Sequence, residues 1–404
     1  MIDDPLLIII TLSNLLQARL YLGGTNLTTV STAHFNKAAQ LHRNGKTEEA
    51  ISELTLAIEL DPEELRSYLT LAAIYETRGQ LQSAVDLYRK ALERNIDDPQ
   101  TNLRLGILLT TMGSYNAALT PLRMAWSNDK KNAYAANALA QALDASGDYG
   151  TAHVMYEEAL KLDSSLFNAH YNLGTLCYND GKYELAISNF TTYIARAGEN
   201  SRAHRNIGKA LARMGQLDKA VKSFNRAAAL DPNDPTVYYN LALVYNLMEN
   251  SRGAFDNYRQ ALKLYPNFTE CRYTYAKALV FSGQVESAMS EFQTVLQQCP
   301  DHYRAMNGLA TCCLKLQDNE SAATLLRQAV DLWPEFAFAH YNLGIALRNL
   351  GYEYEAKHHF QEAARLDQTG QLGVRSQEPP RSARISNQSQ ALGCNMSRKL
   401  SSQF

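Results

Sequence analysis

The chain has 404 residues, of which 46% are hydrophobic and 20% charged, and its formal net charge is −2. That is the composition of an ordinary soluble protein, and the near-neutral charge excludes a global electrostatic pull toward nucleic acid or an anionic membrane. Six cysteines in this length make no disulfide framework.

In chain order, the first stretch is MIDDPLLIIITLSNLLQARLYLGG. Asp4 fits an N-cap, Pro5 the first helical place and Gly23-Gly24 a stop. Asp3 and Asp4 stand where a secretory signal needs positive charge. Thr11, Ser13, Asn14, Gln17 and Arg19 interrupt the run of about 20 apolar residues that a membrane span needs. Residues 1–30 therefore read as a capping helix and linker at the N-terminal end of the chain. A weak membrane or secretory signal is one alternative, and a segment cut from a longer chain is another.

From Ser31 to Gly370 a frame of 34 residues recurs ten times without insertion. The frames are 31–64, 65–98, 99–132, 133–166, 167–200, 201–234, 235–268, 269–302, 303–336 and 337–370. The sixth displays the pattern. Ile207, Leu211 and Met214 form an apolar stripe on one helix, and Gly215 breaks it. Leu217, Ala220, Val221, Phe224, Ala227 and Ala228 lie on a second helix, closed by Asp231-Pro232-Asn233-Asp234. The twentieth place is alanine in every frame, from Ala50 and Ala84 through Ala220 to Ala356. The eighth is always Gly or Ala, as at Ala38, Gly106, Gly174, Gly208 and Gly344. Small residues there let two helices pack at the close end of the ~8–10 Å range. The mid-repeat glycine is replaced only by Glu249 and Gln317. In the third frame Pro121 falls inside the second helix, where a kink is expected rather than a lost repeat.

Residues 371–404 are rich in Ser, Gln and Arg and lack apolar periodicity, which reads as a disordered basic tail. Arg381-Ser-Ala-Arg384-Ile-Ser386 within it resembles a basophilic kinase site. No eleventh amphipathic helix is available to cover the tenth repeat, whose second helix carries Ala356, Phe360, Ala363 and Leu366. Self-association through repeat ten, or a longer form carrying a cap, is the expectation.

The period and its small, aromatic and proline places resemble the tetratricopeptide repeat family over residues 31–370. The resemblance implies an all-α fold: a right-handed superhelical solenoid of ten 34-residue helix-turn-helix repeats. It also implies a concave groove lined by first helices at their second, fifth, sixth, ninth, twelfth and thirteenth places. Those places are basic, amide-rich and aromatic in the middle of the array. The expected peptide-binding residues are Tyr171, Asn172, Arg202, Arg205, Asn206, Lys209, Arg213, Tyr239, Asn240, Tyr273, Lys277 and Asn342. Arg202, Arg205, Lys209 and Arg213 lie on one helix with no carboxylate among them, a repulsive set unless an acidic partner arrives. Asn172, Asn206, Asn240 and Asn342 are similar to the asparagine ladder of O-linked N-acetylglucosamine transferases, which grips a peptide backbone. Ala138, Thr274 and Gly308 interrupt it. Of a co-chaperone carboxylate clamp only Asn172 and Arg202 match.

No phosphate loop or metal spacing is present, and no cofactor or catalytic residue is expected. His34, His170, His204 and His340 share the fourth repeat place and read as packing residues. The adjacent His358 and His359 are expected to point apart. Cys177 and Cys313 occupy a core place of first helices, in keeping with a reducing compartment. Six glycosylation sequons, at Asn26, Asn189, Asn267, Asn319, Asn387 and Asn395, read as chance occurrences. The location expected is cytoplasmic, with the endoplasmic reticulum lumen as the alternative. The function expected is a non-enzymatic scaffold or adaptor that holds an extended, polar or acidic peptide of another protein. Two rivals stay open: the repeat portion or shortened form of a larger enzyme of glycosyltransferase type, and a structural subunit of a transport or coat complex. The frame itself makes a prediction. Ala220→Leu forces methylenes between two closely packed helices and should cost ~1–3 kcal/mol, read as a lowered melting temperature.

Overall fold

The structure, a computed structural model, describes residues 27–367. The expected capping helix before Leu27 and the basic tail with its kinase-like site lie outside the described residues. The chain divides into two units, Met1–Leu176 and Cys177–Phe404.

In the first unit the described helices are α1 (Leu27–Arg43), α2 (Thr47–Leu60), α3 (Leu65–Thr77), α4 (Leu81–Arg94), α5 (Pro99–Thr111), α6 (Tyr115–Asn128), α7 (Ala133–Ser146) and α8 (Tyr149–Leu162). Helix α9 (Phe167–Asn179) runs across the boundary. The second unit continues with α10 (Tyr183–Ala197), α11 (Ser201–Arg213), α12 (Leu217–Leu230), α13 (Pro235–Leu247), α14 (Ser251–Leu264) and α15 (Thr269–Phe281). It ends with α16 (Val285–Gln298), α17 (Tyr303–Lys315), α18 (Asn319–Leu332), α19 (Ala337–Asn349) and α20 (Glu353–Leu366). No strand occurs among the described residues. The fold is the all-α tandem helix-turn-helix solenoid that the period implies. The first described helix already includes Leu27, four residues ahead of the expected frame.

Each helix pair closes on one large side chain of its second helix. Leu54, Tyr88, Leu122 and Tyr156 play this part in the first unit, and Phe190, Phe224, Tyr258, Phe292 and Leu326 in the second. All nine are at most 1% exposed. Full burial of such a side chain contributes about 1.5–3 kcal/mol. The facing residue on the first helix has to be small. A Cβ on Gly208 would stand 2.8 Å from the Phe224 ring, and one on Gly344 would stand 2.7 Å from Phe360. The invariant alanines are equally enclosed, Ala220 being 0% exposed.

Phe360 belongs to the same set. It is 9% exposed and packs against Tyr341, with the Arg348 guanidinium over its ring. It fills its own pair. Pro121 is buried within α6, which runs on to Asn128.

Turns follow from a few backbone demands. In the middle of repeat six the Gly215 N–H donates to Ala212 O at 3.0 Å and Gln216 N–H to Leu211 O at 2.9 Å. This paired closure needs a left-handed residue, and Gly215 has φ +75°. Glu249 and Gln317 make the same closures with φ 58° and 64°. Between repeats, Asp61, Asp129, Asp163 and Asp231 each accept the backbone N–H two residues on, so the side chain itself shapes the bend. Asp98, Asn132, Asn200 and Asp234 then cap the following helix.

A left-handed side-chain-bearing residue costs roughly 1–2 kcal/mol. Glu249→Gly should therefore raise stability by about 1 kcal/mol, seen as a higher urea midpoint for the full chain. An unchanged or lowered midpoint would mean that the Glu249 side chain contributes more than its backbone strain removes.

Candidate peptide-binding face

The face in question is carried, in the second unit, by the first helices α11, α13, α15, α17 and α19. Consecutive first helices touch directly. The Tyr239 hydroxyl meets Thr274 Oγ1 at 3.4 Å, and the Asn342 amide donates to Asn307 Oδ1 at 2.9 Å.

Helix α11 is the most polarised of them. The Asn200 carboxamide oxygen caps it by accepting the Ala203 N–H at 3.0 Å. Ala203, Ile207, Gly208, Ala210, Leu211 and Ala212 are buried, which turns Arg202, Arg205, Asn206, Lys209 and Arg213 to the other side. The four cations do not share one fate. Arg202 is exposed. Arg205 donates to Asp234 Oδ2 at 2.5 Å and to Thr236 Oγ1 at 2.7 Å, so its charge is balanced by the cap of the next repeat. Arg213 donates through Nε to the Tyr183 hydroxyl at 2.9 Å and lies 5.6 Å from that ring.

Lys209 differs. Its Nζ sits 4.9 Å from the centre of the Tyr178 ring, and no ion pair among the described residues holds it. Burial, followed by the Arg205 and Arg213 charges, pushes the Lys209 ammonium below its ordinary range. The expectation of four unbalanced cations is thus corrected at Arg205 and sharpened at Lys209.

The remaining expected residues divide. Tyr171 and Asn172 lie in the first unit, both half-buried, and Asn172 shares a hydrogen bond with Tyr156. Asn206 is half-buried. Tyr239 belongs to the core: it is 8% exposed, its ring lying 5.1 Å from Phe268 and 6.3 Å from Tyr258. Asn240, 7% exposed, donates to Thr236 O of its own helix at 2.8 Å. Tyr273 packs on Phe292 and His302, with Lys277 Nζ 5.3 Å from its ring centre. Asn342 is committed to Asn307 and Thr311.

The asparagine ladder is therefore not a continuous row of available amides in this unit. Thr274 is fully buried, and a Cβ at Gly308 would come within 2.4 Å of Phe292. The Phe292 ring of the preceding second helix leaves no room for a side chain at Gly308.

Sequence reasoning missed Asp234 as the partner of Arg205 and Tyr183 as the seat of Arg213. Asp234 carries a signal, since a capping carboxylate keeps acceptor capacity beyond the backbone N–H that it caps. Tyr183 begins a second helix, outside the groove places of first helices.

Among the histidines, His359 Nδ1 is 3.0 Å from that of His340, and His340 Nε2 is 2.9 Å from Pro334 O. Among the described residues no group of His, Cys, Asp and Glu could hold a metal ion. The described cysteines are free, and burial pushes the Cys271 and Cys312 thiols up to about 12, which removes their nucleophilic form at neutral pH. No described helix is long and apolar enough to cross a membrane.

Burial, then His340 and His358, push His359 down to about 4 from its ordinary 6.5. Between those values the unfolded chain binds the proton more readily than the folded one. The stability contributed by neutral His359 is complete above pH 6.5 and is lost as pH falls toward 4. Between pH 6.5 and 4 the urea midpoint of wild type should accordingly fall more steeply than that of His359→Leu. Parallel pH profiles would show that His359 does not set the slope.

A tetratricopeptide repeat family model matches residues 35–99, 137–201, 273–335 and 314–370, and a second such model matches 235–268. A model described as TPR repeat matches 208–248. No curated protein sequence matches the chain. The C-terminal part of a TPR repeat-containing protein from Cytophaga hutchinsonii is similar in structure, at 17% identity and a TM-score of 0.51, over 61% of this chain and 99% of that one. MamA protein is 26% identical with a TM-score of 0.39, over 41% of this chain and 90% of its own. Yeast Tom70 is 17% identical with a TM-score of 0.39, over 93% and 96%. With its repeats matched over more than half of its length, the chain belongs to the tetratricopeptide repeat family.

Proposed function

We propose that the chain is a non-enzymatic scaffold or adaptor, holding an extended, acidic or polar peptide segment of a partner protein on the first-helix face of its second unit. The observation that carries this is Lys209, a half-buried ammonium flanked by two arginines and held by no carboxylate of the described residues. A desolvated cation of this kind is costly unless an anion joins it. The exposed Arg202 adds a second charge on the same helix, and Lys277 over Tyr273 a third two repeats on. The working compartment that goes with this reading is reducing, such as the cytoplasm, where five free cysteines among the described residues stay as thiols.

Arg205 is the wrong residue for a test, because a glutamate there would face Asp234 and loosen the repeat junction. Arg202→Glu with Lys209→Glu leaves that junction intact. Amidated peptides of acidic, neutral and basic composition should separate by charge on the wild-type protein, the acidic ones binding. Each charge-assisted contact is worth ~1.5–3 kcal/mol, so the double variant should bind acidic peptides at least about a hundredfold more weakly with an unchanged circular dichroism spectrum. Equal binding by the folded variant would remove this reading.

A further inference from the structure

We infer that Lys209 and Arg213, with the ring shelf of Tyr178 and Tyr183 beneath them, form a seat for a single oxyanion group carried by the bound peptide. The inference deepens the proposed peptide-binding function and rests on it.

Lys209 and Arg213 are four residues apart on α11 and therefore lie on the same helix face. Two like charges at that spacing repel each other in isolation. Here they are drawn together over one aromatic pair: the Tyr178 and Tyr183 rings are 5.6 Å apart. Lys209 stands over the first ring and Arg213 over the second. Ring faces attract cations but do not cancel their charge.

The carboxylate of Asp234 is already used. It accepts Arg205 through Oδ2, and through Oδ1 it accepts the backbone N–H and the hydroxyl of Thr236. Beneath the cations, the Tyr178 hydroxyl is buried without a hydrogen-bond partner among the described residues. Burial pushes it up to about 12, so it is a protonated donor at neutral pH.

The place therefore combines an ammonium that no described carboxylate pairs, a guanidinium beside it and an orphan hydroxyl donor. That set matches one oxyanion, which two cations and one hydroxyl can surround. Arg205 stays outside the seat, locked on its capping carboxylate. The occupant we assign is the side-chain carboxylate of an acidic residue in the partner peptide. A phosphorylated side chain presents the same chemistry, and an anion titration distinguishes the two.

The test uses the full chain with lysine side chains isotope-labelled at Cε and followed by NMR. Lys209 is assigned by the resonance lost in Lys209→Met, which removes the charge and keeps an unbranched stem. Sodium acetate and inorganic phosphate are titrated at constant ionic strength. The Lys209 resonance should shift saturably, and its titration midpoint should move up, while exposed lysines such as Lys219 drift without saturation. Saturation with acetate supports a carboxylate occupant, and saturation with phosphate alone supports a phosphorylated one. A Lys209 resonance that only follows Lys219 with both anions overturns the seat.

A second measurement separates the seat from the wider reading. A peptide with a central glutamate should bind Lys209→Met about tenfold or more weakly than wild type, while its glutamine counterpart binds both alike. If acidic peptides bind and Lys209→Met leaves them unchanged, the seat falls and the peptide-binding face stands. If acetate saturates Lys209 but no peptide binds, the seat stands and the peptide-binding face falls.

Discussion

The contact between one large side chain and one small or absent side chain organises each repeat. In repeat six the Phe224 ring lies where a Cβ of Gly208 would be, so the two helices approach as closely as their backbones allow. Everything downstream inherits that distance. It buries Ala220 completely, and it sets which residues of α11 turn inward and which carry charge outward. The constraint is steric, so it tolerates exchange among Leu, Tyr and Phe on the large side but none toward bulk on the small side. A chain built this way repeats because every pair must solve the same packing problem against the next.

The turns obey a backbone constraint of equal strictness. A helix that ends with paired closures onto its last turn needs a residue at positive φ. Eight of the ten mid-repeat turns supply glycine; Glu249 and Gln317 adopt the same conformation at a cost. Both sit in the second unit, ahead of α14 and α18. That the hydrogen bonds survive there, at 2.9 Å for Asn250 to Tyr245 O and for Asp318 to Cys313 O, shows tertiary packing overriding local preference.

Charge on the first-helix face obeys a different logic, because side chains long enough to bind a partner also reach their own neighbours. Arg205 is taken by a capping aspartate 29 residues on, and Asn342 by an asparagine 35 residues back. A partner is left with the groups that those internal contacts do not use. At α11 that is Lys209, kept over an aromatic ring and held by no ion pair of the described residues. A repeat protein reads its ligand with the exceptions to its own pattern.

The period of 34 residues, the small and large places and the turn glycines were all legible in the sequence, because each rests on local geometry or on size at a fixed spacing. So was the helix carrying the cations, since Arg202, Arg205, Lys209 and Arg213 share one face at helical spacing. The availability of those side chains was not legible. Tyr239 and Asn240 occupy groove places by register, yet α13 turns them into core and onto its own backbone. Phe360 stood at the end of the last amphipathic stripe, yet Tyr341 and Gly344 of its own pair enclose it. His340 and His359, 19 residues apart, meet across one pair. Sequence alone determined the elements, their order and the size of residue at each contact, because those depend on neighbours a few places or one period away. Tertiary structure decided which polar groups are spent and which are left, because that depends on distances between helices that no spacing along the chain encodes.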